Sequence, residues 1–482
     1  MSSLSKTYSR IMSIGAVQRQ SIISFTWQIV YTFVGFLSTM YFSHTVGASV
    51  LGTYFLFVAY YGIIGLVSEG GLAGGATKRI SEGNDPDGYF SSFFFLRSFF
   101  VLLALIVLFF IHKYSAILTS ELYYWLIIAI PVAFLYSVIQ VGIAGKGKMG
   151  IHATSNFVNN MSRIFLQILA VFLGYNAGGL MGGFVGAMLI ATLFESRFFD
   201  LRFVRVKWIY IKNLANFSFW LFLTSSGVVV YSYADTIMIG YFSDYVDVGV
   251  YKVVFQFTTF ALIATTELRG VLWPKVSRWS KTSETELIEK SLSRAISYSL
   301  LFAVPIAMGG IVLGDKILYF FYGAEFATGY STLVILLIVQ IVNVFQFLFT
   351  TYLGALDMQK KAFWVTALSS VTNVFLNLLL IPLIGIFGAA IATLITMSLN
   401  ALLARTKLSK VIQVHLEYKT ILCILESSLL MALSVGLYRM FISVSNIYFL
   451  LIAIFSGVVL YGVATLVLNK NIVAEIKEVL SH

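Results

Sequence analysis

The sequence predicts an all-α polytopic membrane protein, built as two pseudo-symmetric six-helix bundles followed by two further helices. Three observations predict it: an apolar composition, fourteen apolar stretches joined by loops that alternate in charge, and an internal repeat. Of the 482 residues, 59% are hydrophobic and 11% charged, with a mean hydropathy of +0.90. Soluble domains carry roughly a quarter charged residues. This chain has too few charges to cover a water-facing surface, so the bilayer is its natural solvent.

The apolar stretches run over 21–42, 52–75, 92–111, 122–144, 151–173, 178–196, 214–240, 248–268, 295–313, 327–353, 362–382, 385–404, 420–438 and 448–468. About 20 helical residues at 1.5 Å each cross the hydrocarbon core. The basic segment Met1 to Gln20 precedes a first stretch too long for a signal-peptide core and without a small-residue cleavage site, which predicts a retained helix. The loops place the helices relative to the membrane. Of the 32 lysines and arginines, Arg97, Arg163, Lys252 and Arg294 fall within or against the stretches, and only Lys113, Lys316 and Arg439 fall in one set of alternate loops. The rest fall in the other set, which the positive-inside rule assigns to the cytoplasm together with both termini. A miscount of one helix would scramble this alternation. The net charge of +11 is thereby explained by topology and anionic lipid rather than nucleic acid. No loop is long enough to be a domain. In the longest, between stretches 8 and 9, Ser283 and Glu286 have capping-box spacing, which predicts a short surface helix.

The two halves resemble each other. Leu51-Gly52-Thr53-Tyr54 recurs as Val248-Gly249-Val250-Tyr251, and Phe165-Leu166-Gln167-Ile168-Leu169 recurs as Phe375-Leu376-Asn377-Leu378-Leu379. A six-helix repeat has an even count, so both copies keep one orientation, a transporter architecture whose substrate path lies between the halves. The expected division is 1–207, 208–410 and 411–482, the last carrying stretches 13 and 14.

Polar residues inside the stretches carry the functional signal. His152, Asn156, Asn159, Asn160, Arg163 and Gln167 recur at spacings of three and four and share one helix face. The later copy carries Thr366, Ser369, Ser370, Asn373 and Asn377 at the positions matching the last five. Such stripes face protein or water rather than lipid. Two readings stand side by side, interhelical hydrogen bonding and a cavity wall, and the duplication with a deep arginine favours the cavity. Arg163 lies roughly 18 Å along its helix, too deep to snorkel easily. Arg97 and Arg294 lie nearer the inner ends, where snorkelling suffices. A cavity with deep positive charge suits an anionic substrate, because arginine forks match phosphate oxygens. Substrate-binding candidates are therefore Arg163, Asn156, Asn159, Asn160, Gln167, Ser370, Asn373, Asn377, Arg97 and Lys252. Asp235, Glu69 and Glu267, carboxylates within or bordering the membrane, are the ion-coupling candidates. Asp235 and Lys252 lie near outer ends, where pairing with one another is an equal reading, as is pairing of the two glutamates with basic loop residues. The single cysteine, Cys423, excludes an intramolecular disulfide, and the five histidines form no metal-ligand spacing. No cofactor and no phosphate-binding loop is expected, and hence no ATP hydrolysis.

A family resemblance rests on several motifs in order. Val46-Gly47-Ala48 through Leu51-Gly52-Thr53-Tyr54, Glu69-Gly70-Gly71-Leu72 and Lys78-Arg79-Ile80-Ser81 resembles the opening hairpin of polysaccharide-biosynthesis flippases of the Wzx type. Ala234-Asp235-Thr236-Ile237-Met238-Ile239-Gly240 with Val248-Gly249-Val250-Tyr251 is similar to their seventh helix and the turn after it. Trp273-Pro274-Lys275-Val276-Ser277, Asn373-Val374-Phe375-Leu376-Asn377 and Ile381-Pro382-Leu383-Ile384-Gly385 through Thr393 extend the likeness. The resemblance implies the two-lobed fold of the multidrug/oligosaccharidyl-lipid/polysaccharide exporters, alternating between inward and outward openings. It implies a polyprenyl-(pyro)phosphate-linked oligosaccharide as substrate, carried to the outer leaflet of the cytoplasmic membrane for surface polysaccharide such as O-antigen, or for glycoconjugates. Membrane lipids and glycan-assembly enzymes are the implied partners. Lipid II flippases, which are similar at the turn opening helix 8, carry an arginine slightly further along, where the nearby cation here is Lys252. Competing readings are a drug/cation antiporter of the same fold, which would favour an acidic cavity, and a membrane polymerase or glycosyltransferase, which usually has a sizeable outside loop.

Overall fold

The computed structural model describes residues 16–115 and 118–469. Expectations for the basic N-terminal segment before residue 16 and for Lys470 and Lys477 fall outside them. The described chain is helical throughout: α1 Ala16–Glu69, α2 Leu72–Ser81, α3 Pro86–Tyr114, α4 Ser120–Gly145, α5 Met149–Phe172, α6 Ala177–Ser196, α7 Trp208–Phe242, α8 Tyr245–Thr258, α9 Ile263–Lys281, α10 Thr285–Tyr322, α11 Tyr330–Ala355, α12 Gln359–Leu408, α13 Tyr418–Phe441 and α14 Ile447–Leu468. Short 3₁₀ turns, Thr259–Leu262 and Ala324–Gly329, join α8 to α9 and lead into α11.

Two of these helices are too long for one crossing. At 1.5 Å per residue, α1 would reach about 80 Å. It breaks at Gly47, whose φ is 77°. The 50-residue α12 breaks at Ile384 and Gly385, just past Pro382. Ten helices among the described residues are long and apolar enough to cross a membrane, or up to eleven if the bent α7 is one span. The polar stripe keeps α5 out of that set.

Three local expectations need correction. The second apolar stretch does not run unbroken to residue 75: Gly70 and Gly71 both have positive φ and turn the chain from α1 into α2. The capping box does not form either, since Ser283 has φ 59° and the residue capping α10 is Glu284, without a side-chain capping bond. Thr285 instead opens one continuous helix of 38 residues, with no separate surface helix. Finally, Arg97 does not snorkel. It is 4% exposed, and its guanidinium lies 3.6 Å from the Glu69 carboxylate.

The described chain divides into two compact units, one of residues up to Val46 with Phe57–Ser226, the other of Gly47–Leu56 with Gly227 onward. In the first unit, Leu72, Ile80, Phe90, Phe93, Val141 and Leu214 form a core under α2, α3 and α4. Asp85 caps α3 by accepting from the Gly88 N–H at 3.1 Å and from the Tyr210 hydroxyl at 2.6 Å. The Tyr210 hydrogen bond, helped by the Gly88 N–H, holds this loop carboxyl below the usual carboxylate range. In the second unit, α9 to α12 enclose Leu292, Ile296, Leu348, Tyr352 and Leu408. Helices α13 and α14 pack on α10 through Leu313, Met431, Val435 and Leu450. A bidentate pair ties α13 to α10, with Arg439 donating to both Asp315 oxygens at 2.8 and 2.7 Å.

Within the second unit the first-copy segment Gly47–Leu56 meets α8. A Cβ at Gly52 would stand 1.7 Å from the Tyr245 carbonyl oxygen, and one at Gly249 would stand 2.0 Å from that of Ala48. These glycines occupy equivalent positions of the repeated motif, so the two copies of the motif pack on each other. The Ala48 N–H donates to Glu325 at 2.9 Å beside this contact.

Candidate functional site

In the second unit the polar residues converge on one carboxylate. Asp235, on α7, is 7% exposed. Asn377, on the first arm of α12, donates to its Oδ1 at 2.5 Å. The Tyr251 hydroxyl on α8 donates to its Oδ2 at 2.7 Å, and the Thr393 hydroxyl on the second arm of α12 donates to the same oxygen at 3.1 Å. Helical periodicity makes the arrangement possible. Asn373 and Asn377 are one turn apart, and the Asn377 amide also donates to Asn373 Oδ1 at 3.1 Å. Asn373 in turn reaches Thr396 Oγ1 at 3.4 Å. The break at Ile384 and Gly385 folds the two arms of α12 so that both supply donors.

The three donors on Asp235 are neutral. Hydrogen bonds to a charged group contribute about 1.5–3 kcal/mol each, which offsets part of the cost of burying the carboxylate. A carboxylate has about four lone-pair sites, so one acceptor site remains, and the buried Asn377 Oδ1 has no hydrogen-bond partner. The cluster is thus rich in oxygen acceptors. Lys252 is half-buried, with its ammonium 5.5 Å from the Phe255 ring centroid. Ser370, buried higher on the α12 stripe, donates to the Gly227 carbonyl at 3.2 Å.

The stripe on α5 divides differently. Gln167 is buried and donates to the Leu180 carbonyl of α6 at 2.8 Å. Gly183 lies directly beneath it, where a Cβ would meet the Gln167 side chain at 2.6 Å. Asn156 is exposed and accepts from Gln140 at 2.8 Å and Tyr136 at 3.1 Å. Asn159, Asn160 and Arg163 are half-buried, the Arg163 guanidinium 5.9 Å from the Phe184 ring. Four members of the two stripes, Gln167, Ser370, Asn373 and Asn377, lie inside the protein. All four are buried in interhelical hydrogen bonds, since spacing fixes a face but not what the face meets. Of the acidic candidates, Glu69 is half-buried beside Arg97, and Glu267 is exposed on α9.

Comparison with known proteins places this architecture. Residues 17–280, more than half the chain, match the profile of the polysaccharide biosynthesis protein family. The chain belongs to that family. A second profile, MatE, matches residues 221–383. Among relatives of this family member, a probable low-salt glycan biosynthesis flippase, Agl15, of Haloferax volcanii is 28% identical over 93% of this chain and 95% of its own. The probable flippase AglR of the same organism is 24% identical over 96% of this chain and 98% of its own. Among solved structures, the lipid II flippase MurJ in an inward closed conformation aligns with a TM-score of 0.76 at 18% identity, covering 94% of this chain and all of that one. The fold is therefore the all-α, MATE-like fold of these membrane proteins.

Sequence reasoning missed several members of the site in this family member. Tyr251 and Thr393 appear in the quoted motifs but not among the candidates. Thr393 is 158 residues from Asp235 along the chain, and nothing in periodicity links them. Outside that cluster, Glu195 is fully buried near the end of α6, where the sequence alone reads an acid closing an apolar stretch as interfacial.

Proposed function

We propose that this protein is a flippase that carries a polyprenyl-(pyro)phosphate-linked oligosaccharide from the cytoplasmic to the outer leaflet by alternating access, for surface polysaccharide or glycoconjugate assembly. The observation that carries this reading is the nearly full-length similarity to two proteins named as probable flippases, one of them for low-salt glycan biosynthesis. Fourteen spans arranged as two six-helix lobes, 1–207 and 208–410, with two helices in 411–482, accommodate the repeat. The protein acts in the cytoplasmic membrane with both termini inside and without enzymatic chemistry of its own, and glycan-assembly enzymes supply its substrate. A drug/cation antiporter is the second reading, favoured by the MatE match over residues 221–383.

Arg163 engages the substrate's phosphate. With the full chain in vesicles, and flipping of a polyprenyl-pyrophosphate oligosaccharide read as loss of accessibility in the donor leaflet, Arg163→Ala should lower transport per folded molecule about tenfold or more. That is the scale of a hydrogen bond to a charged group, about 1.5–3 kcal/mol. Arg163→Lys should recover only part, since a point charge replaces a fork. Asn373→Ala, at the equivalent position of the other copy, should lower thermal stability more than transport per folded molecule, because Asn373 is fully buried. Full activity per folded Arg163→Ala molecule removes the substrate role. Transport of organic cations in place of the glycolipid favours the antiporter.

The orientation has its own test. In a variant lacking Cys423, a cysteine placed at Ser283 should react with an impermeant reagent only from the cytoplasmic face, and one at Asp244 only from the outer face. Labelling of both from one face contradicts the proposed topology.

A further inference from the structure

We propose that Glu195 is a proton-binding site of the first unit, separate from the Asp235 cluster, with His152 and Asn156 as its positioning residues. Glu195 lies one residue from the end of α6 and is 0% exposed. Neither carboxylate oxygen has a hydrogen-bond partner, and neither does the Ser155 hydroxyl or His152 Nδ1. His152 Nδ1, on α5, stands 3.9 Å from Glu195 Oε1. An ionised carboxylate with no donor within hydrogen-bond distance of either oxygen is costly to bury, whereas the neutral acid is tolerated and can itself donate to the neighbouring Ser155 hydroxyl.

The surrounding network holds the imidazole neutral, so that the exchangeable proton belongs to Glu195. Tyr136 and Gln140, on α4, both donate to Asn156 Oδ1, at 3.1 and 2.8 Å. That fixes which way the Asn156 amide points and turns its nitrogen to His152 Nε2, 3.4 Å away. A donor facing Nε2 makes that nitrogen the acceptor and leaves the ring proton on Nδ1, towards Glu195. Protonating Nε2 as well would set two donors against each other.

Tyr136 also faces Glu195 from α4, and the other charged and titratable groups around this end of the unit are few. Lys148 is occupied by Asp200 at 3.0 Å and by the Phe198 carbonyl at 2.7 Å. Arg197 is exposed. On α1, Tyr61 contacts Met188 Sδ at 3.7 Å, nearly two turns before Glu195. Among the described residues no lysine or arginine pairs with Glu195. Proton binding at Glu195 does not depend on what the protein transports.

Infrared spectroscopy of the purified full-length protein in detergent, titrated with pH, tests this directly. The wild type should show the carbonyl stretch of a protonated carboxylic acid at neutral pH. Glu195→Gln should remove it, and Asp235→Asn should leave it. If the same band persists in Glu195→Gln, the proposal fails. Should that variant not fold, wild-type protein carrying ¹³C-carboxyl glutamate replaces it: the band must shift, and an unshifted band overturns the assignment. Asn156→Asp favours imidazolium at His152 and should lower the midpoint of the band by about one pH unit or more. An unchanged midpoint removes the positioning role of Asn156.

Discussion

Gly249→Ala is expected to lower both thermal stability and transport, despite adding only one methyl group. The added Cβ would lie 2.0 Å from the Ala48 carbonyl oxygen and 3.1 Å from the Gly52 amide nitrogen. These are backbone atoms of helical segments, which cannot rotate aside as a side chain would. The two segments must separate, at a cost of about 1–3 kcal/mol typical of overpacking. Separation also strains the Ala48 N–H bond to Glu325, 2.9 Å long. Gly52→Ala meets the Tyr245 carbonyl in the same way, at 1.7 Å. Because both variants relieve themselves by the same separation, the double variant should lose less than the two single losses combined. Thermal melting and flipping of the single and double variants check this. Wild-type melting and transport in both single variants would mean that the close approach is dispensable.

That contact shows how far the sequence could be read. The recurrence of Gly52 as Gly249 was visible as a repeat, and apolar stretches of about 20 residues marked the helices, because a bilayer-crossing helix imprints its length on hydropathy. That the two repeated turns pack on one another was not visible, since a repeat reports kinship between segments and not their separation in space. The turn at Gly70 and Gly71 was hidden for a related reason: two glycines barely alter the average hydropathy of a 24-residue stretch.

The polar residues were legible as a set and only partly as a site. Spacings of three and four put Asn156, Arg163 and Gln167 on one helix face. They could not tell that Gln167 bonds to Leu180 while Arg163 stays half-exposed beside Phe184. Asp235 stood out as an acid in an apolar stretch, and Asn373 and Asn377 as a conspicuous amide pair. Their joining needed the fold of α12 at Gly385, which also brings Thr393 to Asp235. Arg97 misled in the opposite sense. Its place near a helix end allowed snorkelling, but Glu69 holds it inside.

Asp235→Ala and Asp235→Asn should separate folding from ion coupling, and the first should show the largest loss of stability. Removing the carboxylate leaves the Tyr251, Asn377 and Thr393 donors without their acceptor. At about 1–3 kcal/mol for each buried unsatisfied group, the loss is on the order of 3 kcal/mol or more. Asp235→Asn is far milder. Its remaining oxygen can take the position of Oδ2 and keep Tyr251 and Thr393. The new amide nitrogen then faces Asn377, which can turn its unpartnered Oδ1 towards it, with Asn373 adjusting in turn. The variant therefore keeps the packing and loses the charge. If the coupling ion is taken up at this carboxylate, Asp235→Asn should fold near normally and lose ion-driven transport by about tenfold or more, the worth of a charge-assisted contact. The measurement is flipping per folded molecule at several external pH values, with Glu69→Gln and Glu267→Gln alongside. Full transport by Asp235→Asn at every pH would mean that coupling does not pass through this carboxylate, and that the cluster serves to fasten α7 and α8 to the two arms of α12.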